Sequence, residues 1–356
     1  MAEELVAANI RVANTLPSKF YYEEKIFNLL KPIFSNWQFA IHNSEMSENS
    51  VIPLDHVEAI TGEPTIIVRS EKAHCLSNIC THRGMRLVLQ PCTKSILQCE
   101  YHGRTFDLNG KMKHMPEFEQ AIGFPSESDN LRHYPMHSWN GIHFVSQLDE
   151  QKLPWTEIGS RFDFLDIESF VHDPTRDRDH LINANWMLYV DNYLEGFHIP
   201  FVHPELNQEL DYSGYSTEVF EGGVLQIGKA SQGDVMFELA ENHPDYGQEI
   251  AAYYLWLFPN MMFNFYPWGL SVNIVIPVSP EKTRVLYRGY VKDDTLAQKG
   301  AGSILDTVEI QDQNIIEQVQ KSMRSKAYDR GRYSPTREQG VHHFHRIISE
   351  IYEKNR

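Results

Sequence analysis

The sequence predicts an α+β protein in two unequal parts, a small all-β module followed by a larger part that joins an antiparallel strand block to long helices. Three observations predict it. The chain has 356 residues, beyond the ~250–300 at which a single core usually stops growing. Residues 36–150 read as short strands broken by turn signals, while residues 151–356 carry long elements. A content of 42% hydrophobic and 12% aromatic residues supplies ample core and excludes a disordered or collagen-like chain.

Taken in order, residues 1–35 hold a short amphipathic stretch near Phe20–Leu30, expected to pack on the larger part. The β module is read from Thr65-Ile66-Ile67-Val68, Ser95 to Cys99 and Gly141 to Val145, with turns at Gly62-Glu63-Pro64 and Asn109-Gly110. A helix begins near Asn183 or Asn185, either of which can cap it, and is expected to run to about Phe197. A strand-rich block follows over 213–292, clearest at Tyr253–Phe258, Ser271–Ile276 and Arg284–Val291. A long helix closes the pattern from about Ser303 to Lys326.

The net charge is −16 with no Lys/Arg-rich run, so neither nucleic acid nor a membrane surface is an expected partner. There is no apolar run of about 18 residues to span a bilayer. The start, Met1-Ala2-Glu3-Glu4-Leu5, lacks the basic and apolar regions of a secretory signal. The four cysteines, at 75, 80, 92 and 99, crowd into one short stretch. Such clustering without a signal argues for a metal or redox site in a reducing cytoplasm, the expected location.

The strongest local signal is Cys80-Thr81-His82-Arg83-Gly84, then Cys99-Glu100-Tyr101-His102-Gly103. Each half offers one soft thiolate and one imidazole on a short turn, beside a glycine that lets the backbone approach a metal or sulfide. Four S₂N₂ ligands have two sensible occupants. One is tetrahedral zinc. The other is a [2Fe–2S] cluster with cysteines on one iron and histidines on the other. Mixed Cys/His loops favour the cluster, because each loop then gives one ligand to each iron.

A second constellation is Asp191-Asn192-Tyr193-Leu194-Glu195-Gly196-Phe197-His198-Ile199-Pro200-Phe201-Val202-His203. On an unbroken helix His198 and His203 would point about 140° apart. Pro200 breaks the helix, and a turn can swing His203 back. Glu195 shares the face of His198 and can reach an imidazole or a neighbour. In the last helix, Leu305, Val308, Ile315, Ile316, Val319 and Met323 make an apolar stripe with Asp312 in its middle and Glu309 at its edge. A carboxylate on a buried face must be paired or bound to a cation. His198, His203 and Asp312 together compose a 2-His-1-carboxylate set suited to Fe(II) and O₂.

The first pair of motifs, with Phe106-Asp107 and Gly110 after them, resembles the Rieske family over roughly residues 40–145. With the second constellation, the whole chain resembles the catalytic α subunit of Rieske non-haem iron oxygenases, the ring-hydroxylating superfamily. Asp-Asn-Tyr-Leu-Glu-Gly-Phe-His looks like its choline and carnitine monooxygenase branch. The resemblance implies a Rieske domain over 36–150 and a helix-grip (Bet v1/START-like) catalytic domain over 151–356. It implies that Cys80, His82, Cys99 and His102 hold one [2Fe–2S] cluster and that Cys75 and Cys92 are not ligands. It implies that His198, His203 and Asp312 hold one Fe(II), and that Glu195 bridges electrons between subunits of a homotrimer. Expected partners are O₂, a small organic substrate and a separate ferredoxin or flavin reductase. NAD(P)H enters only through that reductase, since the chain shows no Gly-x-Gly-x-x-Gly after a strand.

The expected activity is hydroxylation or N-demethylation, with a quaternary ammonium compound favoured and aromatic ring dihydroxylation as the alternative. Helix-grip ligand binding with an attached electron-transfer module is the reading from another class. Tyr253, Tyr254, Trp256, Phe258, Phe263, Phe265, Tyr266 and Trp268 are read either as a β-rich core or as a pocket lining.

Overall fold

The computed structural model describes residues 4–149, 151–231, 233–297, 299–303 and 305–356. The chain separates into two compact units, Phe34–Gln151 and a second made of the residues through Ile33 together with Lys152–Arg356. No helix among the described residues is long and apolar enough to cross a membrane.

In the smaller unit, one sheet runs in the order Cys92–Thr93, Ser50–Pro53, Thr65–Arg69, Ala73–Ser77, His133–Tyr134. A second joins Gln38–His42, Ile142–Val145 and Met136–Trp139, and a third joins Leu97–Gln98, Thr105–Phe106 and Met112–His114. All pairings are antiparallel. Val51, Ile66, Leu76 and Phe106 pack with Cys80 and Cys99 in one apolar cluster. The strand expected over Ser95–Cys99 contracts to Leu97–Gln98, because Cys99 already belongs to a tight loop whose Gly103 N–H donates to the Cys99 carbonyl at 3.0 Å. Gly62 closes a helix over Asp55–Thr61 rather than a plain turn. At φ +78° it adopts the left-handed C-cap that glycine reaches without strain, and its N–H donates to the Glu58 carbonyl at 2.7 Å.

In the larger unit the strands are β1 (Val171–His172), β2 (Arg178–Ile182), β3 (Leu210–Phe220), β4 (Gly223–Ala230), β5 (Ile250–Leu257), β6 (Met261–Tyr266), β7 (Gly269–Ser279) and β8 (Lys282–Val291). They form one antiparallel sheet ordered β1-β8-β7-β6-β5-β4-β3, with β2 also paired to β8. The α-helices are α1 (Glu24–Leu30), α2 (Trp186–Tyr193), α3 (Ile199–Val202), α4 (Leu206–Glu209), α5 (Leu305–Ser322) and α6 (Gln339–Asn355). Strands β5 and β6 and most of β7 are buried at nearly every position. They read as continuous apolar runs because both faces are covered. On one face Phe162 stacks on Phe265 at 4.6 Å between ring centroids and meets Tyr253 at 5.6 Å. On the other, Trp256 meets Phe344 of α6 at 5.4 Å. Pairing Tyr254 with Asn264, Asn264 with Ser271 and Asn273 with Tyr287 puts these residues on the helix-covered face with Trp256.

Helix α2 starts where Asn185 caps it, the side chain accepting from Met187 N–H at 2.9 Å. Its next residues, Trp186 to Val190, are buried all round, as befits a helix inside the unit. Helix α5 crosses its start. Glu317 accepts from the Asn183 N–H at 2.8 Å, and Gln320 accepts from the Asn185 N–H at 2.9 Å. On the far side of α2, Asp191 accepts from Tyr21 at 2.8 Å and pairs with His345 of α6, also at 2.8 Å. The ends of the chain thus close on the helix that leads into His198.

Candidate metal centres and active site

The two Cys/His loops are built alike. Gly84 N–H donates to the Cys80 carbonyl at 3.0 Å, as Gly103 does to Cys99, and the glycines sit at φ +72° and +74°. Both cysteine side chains are buried. Burial, and Cys99 beside it, push the Cys80 thiol up. Burial first, then His102 and Arg104, push the His82 imidazole down, toward the neutral form that binds metals. The two imidazole rings lie 4.7 Å apart between centroids. His82 Nδ1 is buried without a hydrogen-bond partner among the described residues. Two thiols, two imidazoles and an orphaned ring nitrogen fit an S₂N₂-bound cluster.

Arg104 was not among the residues the sequence singled out. It is 2% exposed, donates to Thr81 Oγ1 at 2.7 Å and reaches Asp129 at 3.3 Å, so it ties the second loop to the first. Its guanidinium lies over Phe124 at 5.3 Å and Phe118 at 5.8 Å.

Around the second constellation the helix stops earlier than expected. Helix α2 ends at Tyr193, and Pro200 sits in the first turn of the separate helix α3 instead of ending the first. Proline is tolerated there because first-turn N–H groups have no intrahelical acceptor. Glu195 holds the intervening turn. Its carboxylate accepts from the backbone N–H groups of Phe197 and, at 3.1 Å, His198. Gly196 is required because a Cβ would lie 2.7 Å from the Tyr215 ring.

The result brings His198, His203 and Asp312 together, with ligand atoms all within 4.8 Å of one another. His203 Nε2 lies 2.9 Å and His198 Nε2 3.4 Å from Asp312 Oδ1. The opposite nitrogens are held in turn. His203 Nδ1 donates to Gln311 Oε1 at 2.7 Å and His198 Nδ1 to Glu195 Oε1 at 2.8 Å. Asn192 Nδ2 donates to Asp312 Oδ1 at 2.8 Å. Burial would push His203 down, but Asp312 and Gln311 hold it above its ordinary value. Two imidazoles and a carboxylate converging with their outer atoms fixed fit a divalent cation.

The expected apolar stripe of α5 is buried only in part. Ile316 is buried, whereas Ile315 and Val319 are 43% and 37% exposed. The inward line is Glu309, Asp312, Ile316 and Gln320, more polar than the stripe because it faces polar partners. Glu309 Oε2 accepts from Tyr287 at 2.6 Å and Tyr189 at 2.8 Å, and its Oε1 from Asn273 at 3.2 Å. Burial first, then Asp312, push its carboxyl up to about 7. Neither Gln311 nor Glu309 carried a signal beyond its place beside Asp312.

A cavity of about 80 Å³ adjoins the cluster, walled by Tyr193, Tyr215, Tyr254 and Tyr266. Of the aromatics read from the strand block, Tyr254 and Tyr266 line it, while Tyr253, Trp256, Phe263 and Phe265 are fully buried core. Strand parity separates Tyr253, Phe263 and Phe265 from Tyr254 and Tyr266, which share the helix-covered face with Asn264, while Trp256 on that same face is core because Phe344 covers it.

The chain is similar in sequence and in fold to known proteins. The chain is 28% identical to the chloroplastic choline monooxygenase of Arabidopsis thaliana over 94% of its own length and 82% of that protein's. It is 27% identical to the carnitine monooxygenase oxygenase subunit of Escherichia coli K12, covering 98% of this chain and 97% of that one. Its fold matches a solved quaternary ammonium Rieske monooxygenase with a TM-score of 0.82 at 23% identity, over 97% of both chains. It matches naphthalene 1,2-dioxygenase from Rhodococcus sp. with a TM-score of 0.73 at 19% identity, over 95% of this chain and 93% of that one. Residues 36–135 match the Rieske [2Fe–2S] domain and residues 163–354 the catalytic domain of the ring-hydroxylating α subunit. The two domains imply a Rieske cluster and a mononuclear iron, and the chain belongs to the family of ring-hydroxylating oxygenase α subunits.

Proposed function

We propose that this protein is the terminal oxygenase of a Rieske-type system that hydroxylates or N-demethylates a small quaternary ammonium compound. The observation that carries the reading is His198, His203 and Asp312 converging beside a tyrosine-walled cavity, in a chain that also bears the paired Cys/His loops. Cys80, His82, Cys99 and His102 would hold the [2Fe–2S] cluster, and His198, His203 and Asp312 the ferrous ion. Bound there, the cluster supplies electrons singly and the ferrous ion activates O₂.

The remaining tasks fall to the chain itself. Gln311 and Glu195 occupy the Nδ1 atoms of the two histidines, which leaves both Nε2 atoms as the nitrogens that would hold the ion. Asn192 fixes the carboxylate. Tyrosine faces attract a quaternary ammonium by cation–π interaction without a hydrogen bond, which such a cation cannot donate. Overall, O₂, two electrons and two protons yield a hydroxylated substrate and water. An N-methyl group so hydroxylated leaves as formaldehyde.

The electrons come from NAD(P)H through a separate ferredoxin or flavin reductase. The protein acts as a homotrimer in the cytoplasm, with Glu195 as the bridge between one subunit's cluster and the next subunit's iron. Support for an interface here comes from Phe197 and Phe201, which follow Glu195 in the turn and in α3 and are 41% and 79% exposed. Metal analysis tests the reading. Protein made anaerobically with iron and sulfide should be brown and carry about three irons per chain. With a surrogate reductase it should take up O₂ on adding betaines or choline and not aromatic acids. Colourless, zinc-only protein would overturn the assignment.

A further inference from the structure

A second cavity, of about 390 Å³, adjoins the tyrosine chamber, and the two share Leu305 and Glu309 as a common wall. Its chemistry differs. Arg176 and Arg178 line it, with Ser271, Tyr287 and Trp268. The Arg176 guanidinium lies 4.9 Å from the Trp268 ring centre. Gly289 makes room for it, since a Cβ there would come 2.5 Å from the Arg176 Cβ. The Trp268 residue is 1% exposed, and its indole N–H has no acceptor among the described residues.

Arg176 Nε is anchored to Asp173 at 3.1 Å and Arg178 Nη1 to the Thr175 and Asp177 carbonyls at 2.8 and 2.9 Å, while the Nη2 atoms of both have replaceable partners. Arg178 Nη2 donates to Asp306 at 2.6 Å, and Arg176 Nη2 reaches Asp294 at 3.4 Å. Those two acids are 64% and 83% exposed. Pairs of that kind contribute roughly 0–1 kcal/mol. An incoming carboxylate can take either Nη2 at little cost, with water free to solvate the released acid. On the shared wall Glu309 receives its hydrogen bonds, among the described residues, from two phenols and an amide, all neutral, so no protein cation is bonded to it.

We infer that the two cavities form one site for a zwitterion. The ammonium end occupies the tyrosine chamber beside Glu309, and the carboxylate end of the same molecule lies against Arg176 and Arg178. The substrate is therefore a carboxylate-bearing betaine, and an alcohol such as choline is the poorer ligand. The inference rests on the quaternary ammonium reading above and narrows it. It assigns Arg176 and Arg178 to specificity, a role distinct from holding the metal.

Anaerobic calorimetry on the metal-loaded protein tests it without turnover. The probes are choline, glycine betaine and its homologues with two or three methylenes between nitrogen and carboxylate. One betaine length should bind at least about tenfold tighter than choline, the loss expected when a charge-assisted hydrogen bond is missing. Arg178→Gln and Arg176→Gln should each bring that betaine down to near choline's affinity and leave choline unchanged. Arg178→Lys should recover part of the difference, which also shows that the site still folds. Equal binding of choline and every betaine, or equal losses for both in the arginine variants, would overturn the zwitterion site while leaving a quaternary ammonium oxygenase intact. Binding of no ammonium compound at all would overturn both readings.

Discussion

A histidine offers a metal the nitrogen that its other nitrogen leaves free. In this site Gln311 and Glu195 perform that service for His203 and His198, and they do so from different elements, α5 and the turn after α2. Their roles should separate on substitution. Gln311→Leu removes the acceptor from a His203 that is 1% exposed, and outer-shell losses of this kind cost about 10–100-fold in metal affinity. Iron titration should show that weakening, with the visible spectrum of the cluster unchanged. Glu195→Gln keeps an oxygen acceptor for His198 and removes the charge. Both metals should stay bound while single-turnover electron transfer slows and activity is lost. Full activity would deny Glu195 its bridging role.

Among the elements, α5 does most to place the site. Its N-terminal half carries Glu309, Gln311 and Asp312, while its C-terminal half grips the start of α2 through Glu317 and Gln320. Gln320 is 4% exposed, and besides accepting from Asn185 it donates to the Tyr21 carbonyl at 3.1 Å and to Glu281 at 3.2 Å. One side chain thus joins α5, the cap of α2 and the N-terminal segment. Gln320→Ala leaves a buried backbone N–H and carbonyl unsatisfied, so chemical denaturation should show a loss of about 2 kcal/mol. A surface glutamine on the same helix, Gln318, should tolerate alanine with no measurable change.

For the whole molecule, acid stability has an identifiable contributor. Asp245, 4% exposed, pairs with Arg161 through bonds of 2.6 and 2.8 Å and accepts from Tyr253 at 2.7 Å. Burial pushes its carboxyl up, but Arg161 and Tyr253 together hold it below the unfolded value of 3.8. The sign follows from the direction. The native state favours the ionised form, so this contribution is complete above pH 3.8 and fades as pH falls through the lower folded value. Asp245→Asn should lower stability at neutral pH by about 2 kcal/mol, because Arg161 loses the buried one of its two carboxylate partners and keeps Glu218, which is 48% exposed. The variant's stability should also change less than the wild type's as pH drops below 3.8, as followed by urea unfolding.

What the sequence alone determined is the part written in local chemistry. Cys-x-His and Cys-x-x-His beside glycines, the Glu-x-x-His-x₄-His run, and an aspartate on a helix face single out candidate ligands because spacing along the chain constrains how such groups can meet. The change from short strands to long elements near residue 150 likewise pointed to two parts. Only the tertiary structure decided the rest, since it depends on which residues far apart in the chain become neighbours. No spacing rule foretold that α2 would stop at Tyr193, that Arg104 would lace the two loops together, or that Gln311 would meet His203. The same holds for the aromatic strands, where Tyr253 and Tyr254 are the same residue type and meet opposite fates. A one-residue step in a strand turns a side chain to the other face, and the position of the sheet between Phe162 and the helices determined which face became core and which became pocket.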